Sequence, residues 1–261
     1  MCIRDRLTGE QDAYYEDFQD AARLLARCLA EGFAYQGEPS PHAGGAPRGR
    51  DSTTLPTSAF VICLQNHDQV GNRAFGERLL ALAHPDALRA AVALLLFTPQ
   101  IPMLFFGEES GETTLFLFFT DHHDALRQAV TEGRRKEFAK FAAFSDPQMR
   151  ETIPDPNDPA SFEASRPHFP ETSWTALYRS CLALRAQEIA PGLQGCRSLG
   201  AHALGLHAVQ ASWRMSDGSL LTLAANFGHD AVALQAASGR QLYGPPVTST
   251  LPACTTCLLS L

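Results

Sequence analysis

Ala59-Phe60-Val61-Ile62-Cys63-Leu64-Gln65-Asn66-His67-Asp68 sets six apolar residues directly against four polar ones. An apolar run of that length without polar alternation suits a strand buried on both faces, as parallel sheets require. Further along, Pro85 and Asp86 open a segment in which Leu88, Ala91, Val92, Leu95 and Leu96 form one apolar stripe, and Thr98-Pro99 ends it. That is the pattern of a helix with proline at its first turn. A second apolar run, Ile101-Pro102-Met103-Leu104-Phe105-Phe106, stops at Gly107-Glu108-Glu109. Strand, helix and strand, with polar residues after both strands, make a βαβ unit.

Outward from this unit the periodicities change. From Asp17 to Glu31, Phe18, Ala21, Leu25, Cys28 and Leu29 recur at helical spacing, and Gly32 stands where a helix stops. Glycines and prolines crowd Gly37 to Pro56, a loop long enough to require a functional reason or disorder. Asp121 to Phe144 reads as polar loop and helix, Pro154 to Pro170 as irregular chain, and Trp174 to Glu188 as a helix again. Beyond Pro191 come short alternating strands, Leu206 to Arg214 and Leu220 to Ala224 about a Ser216-Asp217-Gly218 turn, with more toward the end.

The expected fold is therefore α/β: residues 1–190 as the last strands and helices of a (β/α)8 TIM barrel, and 191–261 as a small C-terminal β domain resembling a sandwich. Eight strands are needed, and two convincing ones leave about six missing. Such a slice exposes parallel edges and is expected to be poorly stable alone. Met1 to Arg6 has neither targeting character nor periodicity, and Leu7-Thr8-Gly9-Glu10 begins abruptly. Both a chain cut inside a domain and a frayed terminus fit that start.

Composition narrows the function classes. Over 261 residues, 45% are hydrophobic and 19% charged, the balance of a globular protein. A net charge of −7 argues against nucleic acid, since the tight basic group Arg134-Arg135-Lys136 is flanked by Glu132 and Glu137 and reads as a solvated helix face. Ala90 to Phe97, the longest apolar stretch, is far short of the roughly 20 residues a bilayer requires, so no membrane anchor is expected. Seven cysteines without paired spacing point to a reducing cytoplasm. Cys254-Thr255-Thr256-Cys257 lacks a partner pair and reads as strand residues, and His122-His123 beside Asp121 reads as a turn rather than a metal site.

In parallel barrels reactive side chains stand where strands end, which puts His67 and Asp68 on the active face. A carboxylate there can stabilise a developing oxocarbenium ion, while an imidazole and an amide hold sugar hydroxyls. Spacing fits equally a polar cap on a buried strand, with Asp68 capping the next helix. Phe33 and Tyr35, beside the long loop, are candidates for stacking on pyranose faces, core packing being the competing role of Phe33.

The whole string Phe60 to Arg73 resembles the seventh-strand motif of the α-amylase family of glycoside hydrolases, whose signature is the Asn66-His67-Asp68 core. Its continuation through Gly76-Glu77-Arg78 is similar to the malto-oligosyltrehalose trehalohydrolases. So are Gly32-Phe33-Ala34-Tyr35-Gln36-Gly37, Phe118-Phe119-Thr120-Asp121-His122 and Glu132-Gly133-Arg134-Arg135-Lys136-Glu137-Phe138. The likeness runs from about Leu7 to about Arg185.

The resemblance implies that Asp68 stabilises the transition state and that His67 bonds the sugar in the cleavage subsite. It implies further that Asn66 binds substrate and that Gln69, Val70, Gly71, Asn72 and Arg73 line the side where a trehalose end is recognised. Glu109 falls at the eighth-strand end, where facing substrate and supporting the fold both fit. The implied substrate is maltooligosyl trehalose or a related α-glucan, with no cofactor and no metal. A catalytic nucleophile and an acid/base carboxyl, about 5 Å apart in a retaining site, are also implied, and no segment here resembles either motif. Two rival readings stay open: a glucan branching enzyme or another α-amylase relative, and a carbohydrate-binding protein that does no chemistry.

Overall fold

The computed structural model describes residues 7–10, 17–139, 141–234, 239–246 and 249–261, so the reading of Met1 to Arg6 lies outside it. The chain divides into two compact units: Met1–Leu64 with Ala83–Met103 and Trp174–Leu261, and Gln65–Leu82 with Leu104–Ser173.

In the first unit one helix is Ala21–Glu31, later in starting than its periodicity predicts. The Asp17 carboxylate accepts from Ser40 Oγ (2.6 Å), the His42 backbone N–H (3.0 Å) and Arg48 Nη1 (2.5 Å). Burial pushes its pKa up, but these bonds outweigh that and hold it below the usual value. The glycine- and proline-rich loop is thus given order, as the antiparallel ladder Gln36–Pro39 with Pro47–Gly49. Gly32 ends the helix at φ +97°, where a Cβ would lie 2.1 Å from the Phe60 ring. Only glycine combines that backbone with that approach.

The βαβ unit is present. Val61–Ile62 pairs in parallel with Ile101–Pro102, Val61 opposite Ile101, and the Pro85–Phe97 helix joins them. Both strands are shorter than the apolar runs, and they are not buried on both faces: Val61 is 60% exposed and Ile101 45%. This parallel sheet has two strands among the described residues, and a cavity borders Val61 and Ile62. The connecting helix is buried over its second half, Ala91 to Phe97 being at most 1% exposed. Arg185, in the turn after helix Ser173–Leu184, closes its end by donating to Leu96 O (2.8 Å), Thr98 O (2.5 Å) and Gln100 O (2.9 Å). Orphan helix carbonyls need such donors.

A five-stranded antiparallel sheet completes the unit in the order Arg197–Ala203, Ala208–Arg214, Leu220–Asn226, Thr255–Ser260, Arg240–Tyr243. The predicted hairpin is there, its turn fixed by Asp217 accepting from the Ser219 N–H at 2.9 Å. One face of the sheet meets the Pro85–Phe97 helix, where Thr256 Oγ1 donates to Ala90 O at 2.7 Å. On the other face a small ladder, Val232–Ala233 with Thr250–Leu251, packs Leu234 and Leu251 on Ala224 and Cys257. Cys257 is a strand residue as read, whereas Cys254 precedes the strand with φ +47°.

Short helices make up the second unit: His67–Gly71, Leu79–Leu82, Asp124–Phe138, Pro147–Glu151 and Pro159–Glu163. Asp146 and Asp158 cap the last two by accepting from Gln148 N and Ala160 N, each at 2.9 Å, with proline following. Ala74, Phe138 and Ile153 form an apolar cluster, and Phe105, Phe116, Phe119 and Phe162 stand ring against ring. No described helix is long and apolar enough to cross a membrane.

Candidate functional site

Where the first strand ends, the polar quartet divides its work. Gln65 is 5% exposed and turned inward: its Nε2 donates to Glu108 Oε2 at 3.1 Å and its Oε1 accepts from Leu79 N at 3.0 Å. Asn66 is the helix cap, with extended backbone and Oδ1 accepting from Gln69 N at 2.9 Å. Asn66, rather than Asp68, satisfies the helix N-terminus. His67 and Asp68 are released to the surface, with side chains 73% and 72% exposed and His67 Nε2 3.4 Å from Asp68 Oδ1.

The rest of the motif alternates between surface and packing. Asn72 is exposed, Gln69 and Arg73 are half-buried, and Val70 is 2% exposed with Gly71 buried beside it. Gly71 lies where a Cβ would be 3.4 Å from the Phe116 ring, so Val70 and Gly71 hold the short helix down while Asn72 faces out. Arg73 Nε donates to Glu77 Oε2 at 2.9 Å.

Three buried charges that sequence reasoning passed over support this corner. Arg134, read as part of a solvated helix face, is 7% exposed; its Nη2 donates to Gly71 O (3.0 Å) and Arg73 O (2.6 Å), and its guanidinium lies 4.5 Å from the Phe118 ring. Burial pulls its pKa down to about 10 despite Glu137 nearby. Thus Arg134 closes the C-terminal end of the motif helix, and it joins two of the segments that carry the family resemblance. Lys136 of the same triplet is exposed, and Arg135 pairs with Glu151 at 2.9 Å.

Arg78 is 1% exposed, donating to Thr114 O (2.7 Å) and Phe106 O (2.8 Å) with Phe105 and Phe106 against its plane. Burial lowers its pKa, and Glu112, Glu108 and Glu109 oppose that. Glu112, 3% exposed, accepts the N–H groups of Thr113, Thr114, His168 and Phe169 at 2.6 to 3.0 Å. Burial raises its pKa, but those donors outweigh it and hold the carboxyl at about 2. A carboxylate ringed by backbone donors behaves this way.

Of the two acids after the second strand, Glu108 is the buried one bonded to Gln65, while Glu109 is half-exposed on the same turn. Asn66 to Arg73 and Glu109 therefore share one compact unit. Phe33 and Tyr35 belong to the other. Phe33 is 54% exposed, its ring edge-on to that of the buried Phe60 at 5.4 Å. Tyr35 is half-buried, its hydroxyl donating to Asp17 O at 2.8 Å. At His122-His123, where no turn forms, Asn157 Oδ1 accepts from the His122 N–H, and among the described residues no group of three or more His, Cys, Asp or Glu side chains could hold a metal ion.

Comparison with known proteins places these features. Residues 196–259 match the family described as Domain of unknown function (DUF3459). Malto-oligosyltrehalose trehalohydrolase of Deinococcus radiodurans is 40% identical over 197 residues, 71% of this chain and 31% of that protein. The enzyme of the same name from Brevibacterium helvolum is 40% identical over 191 residues, 69% and 31% of the two chains. Among solved structures, a provisionally assigned alpha amylase from Salmonella typhimurium superposes with a TM-score of 0.89 at 41% identity, over 99% of this chain and 45% of that one. The chain spans about a third of the length of the curated relatives it matches. Over about 70% of its own length its sequence is similar to the malto-oligosyltrehalose trehalohydrolases.

Proposed function

We propose that this chain supplies one corner of an α-amylase-type glycoside hydrolase site, the corner that stabilises the transition state. The observation that carries the reading is the division of labour at the strand end: Asn66 caps the helix, which leaves the Asp68 carboxylate and the His67 imidazole exposed. A carboxylate free of structural duty is available to a glucose ring that gains positive charge as its glycosidic bond breaks. His67, with Asn72 and Arg73 beyond, supplies hydrogen bonds to sugar hydroxyls. The barrel architecture of residues 1–190, the small β domain of 191–261 and a cytoplasmic location belong to the same proposal.

The substrate is maltooligosyl trehalose, and the reaction is hydrolysis of the α-1,4 bond that releases trehalose. A retaining mechanism needs one carboxyl to attack and another to protonate the leaving oxygen. Asp68 cannot do both, so the whole reaction draws on carboxyls beyond those identified in this chain. Bound alone to an α-glucan, the chain acts as a carbohydrate-binding protein; the single matched catalytic carboxyl favours that second reading.

The test is a chimera in which this chain replaces the matching 197 residues of the Deinococcus radiodurans enzyme. Chromatography of its products on maltooligosyl trehalose is expected to show free trehalose, and Asp68→Asn to lower turnover at least about 10³-fold with melting unchanged. New α-1,6 branches in place of trehalose would assign it as a branching enzyme. Turnover by the Asp68→Asn variant within a few-fold of the parent would remove Asp68 from the chemistry.

A further inference from the structure

The helix His67–Gly71 is anchored at its two ends by different residues. At its start Asn66 Oδ1 accepts from Gln69 N, and Gln65 just before is pinned to Glu108 and Leu79. At its finish the anchor is Arg134, whose Nη2 donates to Gly71 O at 3.0 Å and to Arg73 O at 2.6 Å. Those carbonyls belong to the peptide planes before Asn72 and after Arg73, so one guanidinium grips that dipeptide from both sides. The fork itself is held: it is 7% exposed and lies 4.5 Å from the Phe118 ring and 5.3 Å from that of Phe138. Among the described residues its hydrogen-bond acceptors are these two carbonyls.

A helix of five residues followed by irregular chain keeps no fixed direction by itself. The grip of Arg134 falls on the part of the motif that carries Asn72 and Arg73, while His67 and Asp68 stand at the end anchored through Gln65 and Asn66. We infer that Arg134 is a positioning residue for substrate choice: it aims Asn72 and Arg73 at the trehalose end and leaves the cleavage corner to its own anchors. The inference rests on the trehalohydrolase reading above and adds to it a buried residue that acts only through the backbone of others.

Two measurements test the grip and its consequence separately. In the chain alone, trypsin reaches the Arg73–Ala74 bond when the held carbonyl comes free. Arg134→Met is expected to speed that cut at least about tenfold, and Arg134→Lys, which keeps donors but loses the planar fork, several-fold. Lys136→Met, exposed in the same triplet, leaves the rate unchanged. In the chimera with the Deinococcus radiodurans enzyme, Arg134→Met raises KM for maltooligosyl trehalose and the inhibition constant of free trehalose together, about tenfold, with kcat within about twofold. Asn72→Ala loses a similar factor, and the double variant loses no more than the larger single one. Should Arg134→Met fail to fold, Arg134→Lys decides, with the same signs and smaller factors. Three results overturn the inference: tryptic cutting indifferent to both substitutions, an unchanged inhibition constant for trehalose, or a kcat that falls as far as KM rises. An unsubstituted chimera that releases no trehalose fails differently, since it removes the underlying reading and the role in substrate choice with it, whatever trypsin shows.

Discussion

The two units hold themselves together by different means. The sheet-bearing unit relies on continuous apolar layers: Trp213, Leu223, Leu251, Cys257 and Leu258 are all fully buried, in strands whose backbone bonds are repetitive. The unit that carries the His67–Asp68 corner has helices of five residues or fewer apart from Asp124–Phe138, too short to be stable by themselves. Its order comes from buried charges that collect stray backbone groups: Arg78 on Thr114 and Phe106, Arg134 on Gly71 and Arg73, Glu112 on four N–H groups. Irregular chain that presents reactive side chains cannot satisfy its own backbone. Ionic clamps replace the hydrogen-bond ladder that the sheet has for nothing.

Both tryptophans, Trp174 and Trp213, lie in the sheet-bearing unit, so their fluorescence reports it alone, while amide exchange resolves the other. The largest effect is expected for Arg78→Ala, which strands two carbonyls and leaves Glu108 and Glu112 without their buried cation. A cost of about 3–5 kcal/mol follows. It should appear as lost protection in 65–82 and 104–173 with the tryptophan transition in place. Concerted loss of both signals would abolish the distinction drawn between the units.

Acid should separate them next. The Glu112 carboxyl is held at about 2 against an ordinary 4.5, so its contribution is complete above about 4.5 and lost as pH falls toward 2. On the order of 3 kcal/mol is at stake. Exchange at the Thr113, Thr114, His168 and Phe169 amides should rise steeply between pH 4.5 and 2 while tryptophan fluorescence holds. Glu112→Gln should flatten that dependence.

The same contrast explains what the sequence reveals. Local patterns are sufficient where neighbours in the chain are neighbours in space: the helix stop at Gly32, the Pro85 helix and the Ser216-Asp217-Gly218 hairpin. They fail for Arg134, because acids on both sides mimic a solvated face and its acceptors stand more than sixty residues away. Glu112 is hidden likewise, two of its donors coming from His168 and Phe169. Strand Arg197–Ala203 escaped notice since its burial barely alternates, and its edge position asks little of its side chains. The Asn66-His67-Asp68 string names the corner, yet only the cap geometry tells Asn66 from Asp68.

Smaller effects sharpen the comparison from the sheet side. Thr256→Val removes the Oγ1 bond to Ala90 O between sheet and helix, in a setting already sealed by apolar packing. About 1 kcal/mol is expected, read as a modest drop in the tryptophan melting temperature with exchange at 65–82 unaltered. A loss as large as that of Arg78→Ala would mean that polar clamps matter equally in both units.

Glu77→Gln should have the smallest effect on stability. Its pair with Arg73 is 2.9 Å long but the two side chains are 19% and 30% exposed, and a partly solvated pair four residues apart is worth under about 1 kcal/mol. Function should respond more than folding, because Arg73 ends the segment that faces the proposed trehalose end and Glu77 fixes its guanidinium. In the chimera, Glu77→Gln is expected to raise KM several-fold with kcat nearly unchanged and melting within about a degree of the parent. An equal fall in kcat would instead place Arg73 in the transition state, and an unchanged KM would make the Arg73–Glu77 pair a surface bond like any other.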